Sequence, residues 1–104
     1  MTITEEARLK LLEPPSGDKP IRVVLDTDTY NEIDDQFAVV QMMLSRDRLN
    51  VEAIYAAPFL NERAETPGRG MELSYEEIFR ILDRLGVSGD GLAHRGVSEY
   101  VGSE

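Results

Sequence analysis

Cysteine and tryptophan are absent from this sequence of 104 residues. Without cysteine the chain has no disulfide bond, no thiolate zinc site and no cysteine nucleophile. Long hydrophobic runs are absent as well, since Phe37 to Val40 is far shorter than the about 20 apolar residues that cross a bilayer. The stretch from Met1 to Lys10 is acidic and mixed, which is unlike a signal peptide. These absences predict a cytoplasmic protein without a membrane partner.

Basic residues are scarce. The chain has 11 Lys and Arg against 20 Asp and Glu, which gives a formal net charge of -9. A protein that binds nucleic acid through its phosphates needs the opposite sign, so DNA and RNA are excluded as general partners. A nucleoside or ribose-like small molecule carries no phosphate charge and is compatible with an acidic chain. The remaining composition, 41% hydrophobic and 30% charged, is typical of one small globular domain.

The hydrophobic pattern predicts alternating strands and helices after a short N-terminal extension, residues 1–20. The extension contains a helix from Glu5 to Glu13, which ends before Pro14 because the residue preceding a proline avoids the helical region. Ile21 to Leu25 is β-branched and almost wholly apolar, so we expect a strand buried on both faces of a parallel sheet. The later predicted elements are a mostly buried helix over 35–45, a strand over 49–57, a loop over 58–73, a helix over 74–85 and a short strand over 91–94.

Helix-end signals accompany this pattern. Asp34 or Asp35 is suited to cap the helix over 35–45. Ser74 to Glu77 has the spacing of a capping box, and Gly86 is the expected left-handed stop. The order strand, helix, strand, helix, strand is that of two consecutive βαβ units and predicts an α/β fold with an open, mostly parallel sheet. Ligands bind beyond the carboxyl ends of the strands in such sheets.

A cluster of acidic side chains directly follows the first predicted strand. Four aspartates lie within ten residues, and a glutamate adds a fifth carboxylate: Asp26, Asp28, Glu32, Asp34 and Asp35. Carboxylates confined at a strand end repel one another, and a bound divalent cation relieves that repulsion. Oxygen ligands select a hard ion, Ca²⁺ or Mg²⁺. The simpler interpretation is a solvated turn that caps the next helix.

Two known aspartate motifs fit this cluster incompletely. In an EF-hand calcium loop counted from Asp26, Asn31 and Phe37 would stand where the motif requires a glycine and a bidentate acid. A strand also precedes the cluster where an EF-hand has a helix. Asp26-Thr27-Asp28 is similar to the start of the nucleophile motif of haloacid-dehalogenase-type phosphatases, but Thr29 comes one place early. A phosphatase of that type is kept as the lesser alternative.

The cluster and its flanks closely resemble the N-terminal signature of the nucleoside hydrolase family. That signature is a strand, Asp-x-Asp, a short loop, Asp-Asp and an apolar helix, and here it reads Val23 to Asp28 and then Ile33 to Ala38. The intervening Thr29 to Ile33 is longer than the usual family loop and lacks its Pro-Gly, as in one branch of the superfamily. The resemblance spans about residues 21–100. Residues 21–104 are therefore identified as the N-terminal part of a nucleoside-hydrolase-like domain.

Family members hydrolyse the N-glycosidic bond of ribonucleosides, which gives ribose and a purine or pyrimidine base for salvage. The transition state resembles an oxocarbenium ion, and a bound Ca²⁺ orients and acidifies the attacking water. The resemblance implies that Asp28 is both a metal ligand and the general base, and that Asp35 is a second metal ligand. Asp34 would bind a ribose hydroxyl, and Asn61 would orient the base or the sugar. Asp26 would stand behind the metal, against its ligands.

The family domain is much larger than this chain and completes its metal site with residues further along. The resemblance therefore implies a truncated domain, and we expect the chain alone to bind Ca²⁺ weakly and show little turnover. The alternative from another class is a non-catalytic metal- or carbohydrate-binding relative that keeps the aspartates. Asn61 has the simpler interpretation of a turn residue, and His94, the one histidine, is expected to be structural. A homo-oligomer is compatible with each interpretation.

Overall fold

The computed structural model describes residues 2–102, which contain three helices and three strands. From residue 21 the order is strand, helix, strand, helix, strand, so the α/β class and the element order are confirmed. Met1 and residues 103–104, at the outer ends of the two predicted segments, lie outside the described residues. The elements are α1 Glu5–Leu11, β1 Ile21–Thr27, α2 Ile33–Leu44, β2 Leu49–Ala56, α3 Pro67–Arg84 and β3 Ala93–Arg95.

The strands form one parallel sheet in the order β1-β2-β3. β1 pairs with β2 along its whole length, with a register irregularity between Val23 and Val24. β3 adds a short third strand, in which Ala93 lies opposite Ile54. Helices α2 and α3 pack on one face of this sheet and enclose the apolar core. The buried core residues are Val39, Met43, Ile54, Ala56, Met71, Ile78, Ile81, Leu82 and Ala93.

The opposite face of the sheet is open, so the prediction that the first strand is buried on both faces is wrong. Alternate residues of β1 are exposed there, namely Arg22, Val24 and Asp26. The reason is topological: right-handed crossovers in the strand order 1-2-3 place both connecting helices on the same side. On the open face Tyr55 of β2 stacks on His94 of β3, with the ring centroids 5.1 Å apart.

Helix α3 begins seven residues before the predicted Ser74. Thr66 caps it, since the Thr66 hydroxyl accepts the Arg69 amide N–H at 3.1 Å, and Pro67 occupies the first helical turn. The prediction of a loop over 58–73 is therefore wrong for its second half. Gly68 and Gly70 suggested a loop, but a Cβ on Gly70 would overlap the Phe59 backbone. This glycine marks a close approach between the helix and the chain beneath it.

Helix α2 begins at Ile33, and Glu32 occupies its N-cap position without a side-chain capping bond. The predicted capping by aspartate is thus wrong, because Asp34 and Asp35 lie in the first helical turn. Only part of the helix is buried. Phe37 is 67% exposed and Leu44 is 72% exposed, so their predicted burial is also wrong.

Helix α1 forms within the predicted N-terminal extension, where the Thr4 hydroxyl accepts the Ala7 amide N–H. It buries none of its residues. Across residues 2–102, no helix combines the length and the apolar character required to cross a membrane.

Candidate functional site

The carboxyl end of β1 and the first turn of α2 meet at Asp35. The Thr27 hydroxyl donates to Asp35 Oδ2 at 2.9 Å, and the Asp28 amide N–H donates to the same oxygen at 3.2 Å. Thr27 is buried, whereas Asp28 and Asp35 are half-buried. These two bonds hold the Asp35 carboxylate against the end of the strand, beside Asp28.

The electrostatics of Asp28 reflect this proximity. Burial raises the pKa of Asp28, and the neighbouring Asp35 carboxylate raises it further, while the Asn31 side-chain amide acts in the opposite direction. The rise means that the ionised Asp28 is unfavourable in this setting without a compensating positive charge. A cation or a proton between the two carboxylates would relieve the electrostatic repulsion between them.

The loop between β1 and α2 rests on the middle of α3. The Thr29 hydroxyl donates to the Ser74 carbonyl at 3.0 Å, and the Tyr30 amide N–H donates to the Ser74 hydroxyl at 3.2 Å. Both Thr29 and Ser74 are completely buried. Ser74 therefore anchors the loop that carries Asp28 instead of capping a helix.

Replacing Ser74 by alanine should lower the free energy of unfolding by about 1–3 kcal/mol, because the half-buried Tyr30 amide N–H loses its acceptor. Chemical denaturation measures this loss. The matched control is Ser88→Ala, since the exposed Ser88 hydroxyl accepts the Asp90 amide N–H at the same 3.2 Å. Water replaces that lost bond, so the control should cost less than about 1 kcal/mol. Equal losses in the two variants would contradict the anchoring role of Ser74.

A second loop reaches the same site from the end of β2. The Asn61 side-chain Nδ2 donates to Asn31 Oδ1 at 2.7 Å, and Asn31 Nδ2 donates to Asp28 Oδ2 at 2.9 Å. Arg63 also links the two loops, because its Nη1 donates to the Asn31 carbonyl at 2.8 Å. The ends of two adjacent strands are thereby joined at one edge of the sheet, where ligands of α/β proteins bind.

The predicted site residues divide into two groups. Asp28, Asp35 and Asn61 come together, the last through Asn31. Asp34 is exposed in the first turn of α2, and Asp26 is exposed on the open face of the sheet. The simpler interpretation of Asn61 also has support, since its Oδ1 accepts the Arg63 amide N–H in a local turn.

Two participants were missed from the sequence. Asn31 belongs to the longer loop between the two aspartate pairs, and Thr27 is the unspecified residue of the Asp-x-Asp pattern, so neither was among the predicted site residues. The single signal for Asn31 is its place three residues after Asp28, which suits a turn closed by the bond from the Asn31 amide to the Asp28 carbonyl at 2.7 Å. His94 lies in the third strand as expected, against Tyr55.

The ligand atoms at this site are of the type that binds a hard cation. Asp28 and Asp35 offer carboxylate oxygens, the ligand type that Ca²⁺ and Mg²⁺ prefer. Within residues 2–102, however, no three side chains of the His, Cys, Asp or Glu type are grouped so that they could hold a metal ion. An ion at this edge would take its other oxygens from backbone carbonyls, hydroxyls or water.

Comparison with known proteins gives no relative: no family model, no curated protein and no solved structure matches this chain.

Proposed function

We propose that this chain is part of a Ca²⁺-dependent nucleoside hydrolase, which cleaves the N-glycosidic bond of ribonucleosides. The observation that carries the proposal is the pairing of Asp28 with Asp35 at the carboxyl end of β1, with Asn61 joined to Asp28 from the neighbouring strand end. The resemblance in the Asp26 to Asp35 stretch supplies the reaction class. In the cytoplasm, such an activity would serve purine and pyrimidine salvage.

In the proposed reaction, water attacks the anomeric carbon of the sugar. A new carbon–oxygen bond forms, the bond from that carbon to the base nitrogen breaks, and the electron pair leaves with the base. Asp28 takes the proton of the attacking water, and its raised pKa makes it a better proton acceptor than an ordinary aspartate. A bound calcium ion would supply charge stabilisation and acidify the water. The departing base takes its proton from solvent.

Each other residue of the site has a separate task in this proposal. Asp35 would share the cation with Asp28, since Thr27 already fixes its position. Asp34, one residue earlier on α2 and exposed, is accessible to a sugar hydroxyl. Asn61 lies across the site on the β2–α3 loop, where its amide can orient a bound base or sugar.

The test is the release of free base and reducing sugar from inosine, adenosine, guanosine, uridine and cytidine by the purified chain, in CaCl₂ and in EDTA. We expect slow release that requires calcium, because two carboxylates supply only part of the six to eight oxygens that Ca²⁺ takes. Release that is unchanged in EDTA would contradict the calcium role. Hydrolysis of p-nitrophenyl phosphate without nucleoside cleavage would replace the proposal with the phosphatase alternative.

The second candidate is a metal- or carbohydrate-binding protein without turnover. The small number of converging carboxylates favours it, since general-base chemistry needs a complete site, whereas weak binding does not. Calorimetric binding of Ca²⁺ or ribose, together with no release of base over the uncatalysed rate, would establish this candidate and refute the hydrolase.

A further inference from the structure

Two asparagines form a directed chain of hydrogen bonds that ends on Asp28. Asn61 Oδ1 already accepts the Arg63 amide N–H at 2.7 Å, so its Nδ2 must face Asn31. Asn31 Oδ1 accepts that bond, which turns Asn31 Nδ2 toward Asp28 Oδ2. Each amide orientation fixes the next, because an amide has one accepting and one donating end. An ionised Asp28 can only accept, which completes the chain.

The side chain of Asn31 is not needed to close its own turn. The backbone bond from the Asn31 amide to the Asp28 carbonyl, 2.7 Å long, closes that turn by itself. Arg63 also fixes the Asn31 backbone from the other loop, through its bond to the Asn31 carbonyl at 2.8 Å. With the backbone fixed on both sides, the side-chain amide is held where it can orient the Asp28 carboxylate.

We infer that Asn31 is a positioning residue that aims the Asp28 carboxylate, and that Asn61 acts on Asp28 through it. Asn31 donates to Oδ2 of Asp28, which would leave Oδ1 available to a cation or to the attacking water. The expected effect on calcium binding rests on the proposed function, whereas the chain of hydrogen bonds does not. It assigns a role within the site to the longer loop between the aspartate pairs.

Titration of the full chain with CaCl₂ by calorimetry tests this role in Asn31→Ala, Asn61→Ala and the double variant. Asn31→Ala should weaken Ca²⁺ binding roughly tenfold, the lower end for residues that orient metal ligands. Asn61→Ala should weaken it less, and the double variant should match Asn31→Ala because both act along one chain. Leu60→Ala, an exposed residue of the same loop, is the control and should leave the affinity unchanged.

A ¹³C NMR measurement of the Asp28 carboxyl carbon separates this inference from the proposed function. In EDTA, Asn31→Ala and Asn61→Ala should each move that resonance, whereas Leu60→Ala should not. A merely structural role for Asn31 would lower the melting temperature in EDTA with no change in calcium affinity, which would overturn the inference. If the wild-type chain binds no calcium, the proposed function fails, and an unmoved Asp28 resonance would overturn the inference as well.

Discussion

Replacing Asp28 by asparagine should stop the calcium-dependent release of base and at the same time stabilise the fold. Removing a general base typically lowers the rate by about 10²–10⁴-fold, which would bring slow turnover down to the uncatalysed rate. Asparagine keeps the size of the side chain and an oxygen that can accept the Asn31 amide N–H. Free base measured by chromatography, with and without calcium, checks the loss. A variant as active as the wild type would remove Asp28 from the proposed mechanism.

The gain in stability follows from the raised pKa of Asp28, because the folded state binds the Asp28 proton more tightly than the unfolded chain does. The free energy of unfolding therefore falls as pH rises from the unfolded pKa through the folded one, and the full cost is present above the folded pKa. Asparagine at position 28 is uncharged, so it removes that cost. Its side-chain amide can donate a hydrogen bond to Asp35, whereas the Asp28 carboxylate repels Asp35. We expect a higher melting temperature than wild type at pH 7 in EDTA, and a difference that shrinks as pH falls from the raised pKa of folded Asp28 to the usual range of aspartate.

The matched control is Asp34→Asn, which changes an exposed carboxylate in the first turn of α2, next to Asp35. It removes a favourable charge at the helix N-terminus and should lower stability by about 0.3–1 kcal/mol. Thermal unfolding followed by circular dichroism compares the two variants. A lower melting temperature for Asp28→Asn than for wild type at pH 7 would show that repulsion between the Asp28 and Asp35 carboxylates does not destabilise the fold.

Replacing Gly70 by alanine should destabilise the fold more than any other change considered for this chain. Helix propensity alone would favour alanine by about 1 kcal/mol. Its Cβ, however, would overlap the Phe59 carbonyl oxygen and would come within 2.8 Å of the Phe59 nitrogen. Both are backbone atoms of a buried residue, so the clash cannot be relieved by a side-chain rotation. Overpacking of this kind costs about 3 kcal/mol or more.

A loss of that size should lower the melting temperature by roughly 12 °C or more in a chain of this length. Gly68→Ala is the comparison, since it changes the same helix two residues earlier. Its Cβ would meet the Ser98 carbonyl oxygen at 2.9 Å, but the segment around Ser98 is exposed and can move. Gly68→Ala should therefore cost much less. A melting temperature for Gly70→Ala equal to that of Gly68→Ala would rule out the close approach to Phe59.

Local patterns were sufficient for the order of elements. Neighbouring residues alone indicate the apolar strand from Ile21 and the helical spacing after Ile33. They also indicate the left-handed stop at Gly86, whose φ is 70°. The meeting of Asp28 with Asp35 was also predictable, because both flank one strand-to-helix turn. These features depend on little beyond the residues next to them.

The errors arise where distant segments decide the outcome. Whether Val24 is buried depends on which side of the sheet the later helices take, and within β1 only the charged Arg22 and Asp26, two residues to either side, indicate the open face. Gly70 reads as a helix breaker until Phe59 is known to lie against it. Asn31 acquires its partner only when Asn61, 30 positions later, arrives beside it. The candidate site is thus predictable in its carboxylates but not in the amides that orient them.

The parallel sheet also determines how this chain can fold. Ile21 pairs with Leu49, which lies 28 positions further along the chain, and the pairing of β2 with β3 likewise waits for α3 to cross over. The three strands of residues 2–102 are all parallel, so none of them forms a local hairpin and each pairing must first close a long loop. The central strand β2 gains both partners only when each crossover helix is in place. We therefore expect the end of the sheet that carries Asp28 and Asp35 to assemble late, after the helices have brought the strands together.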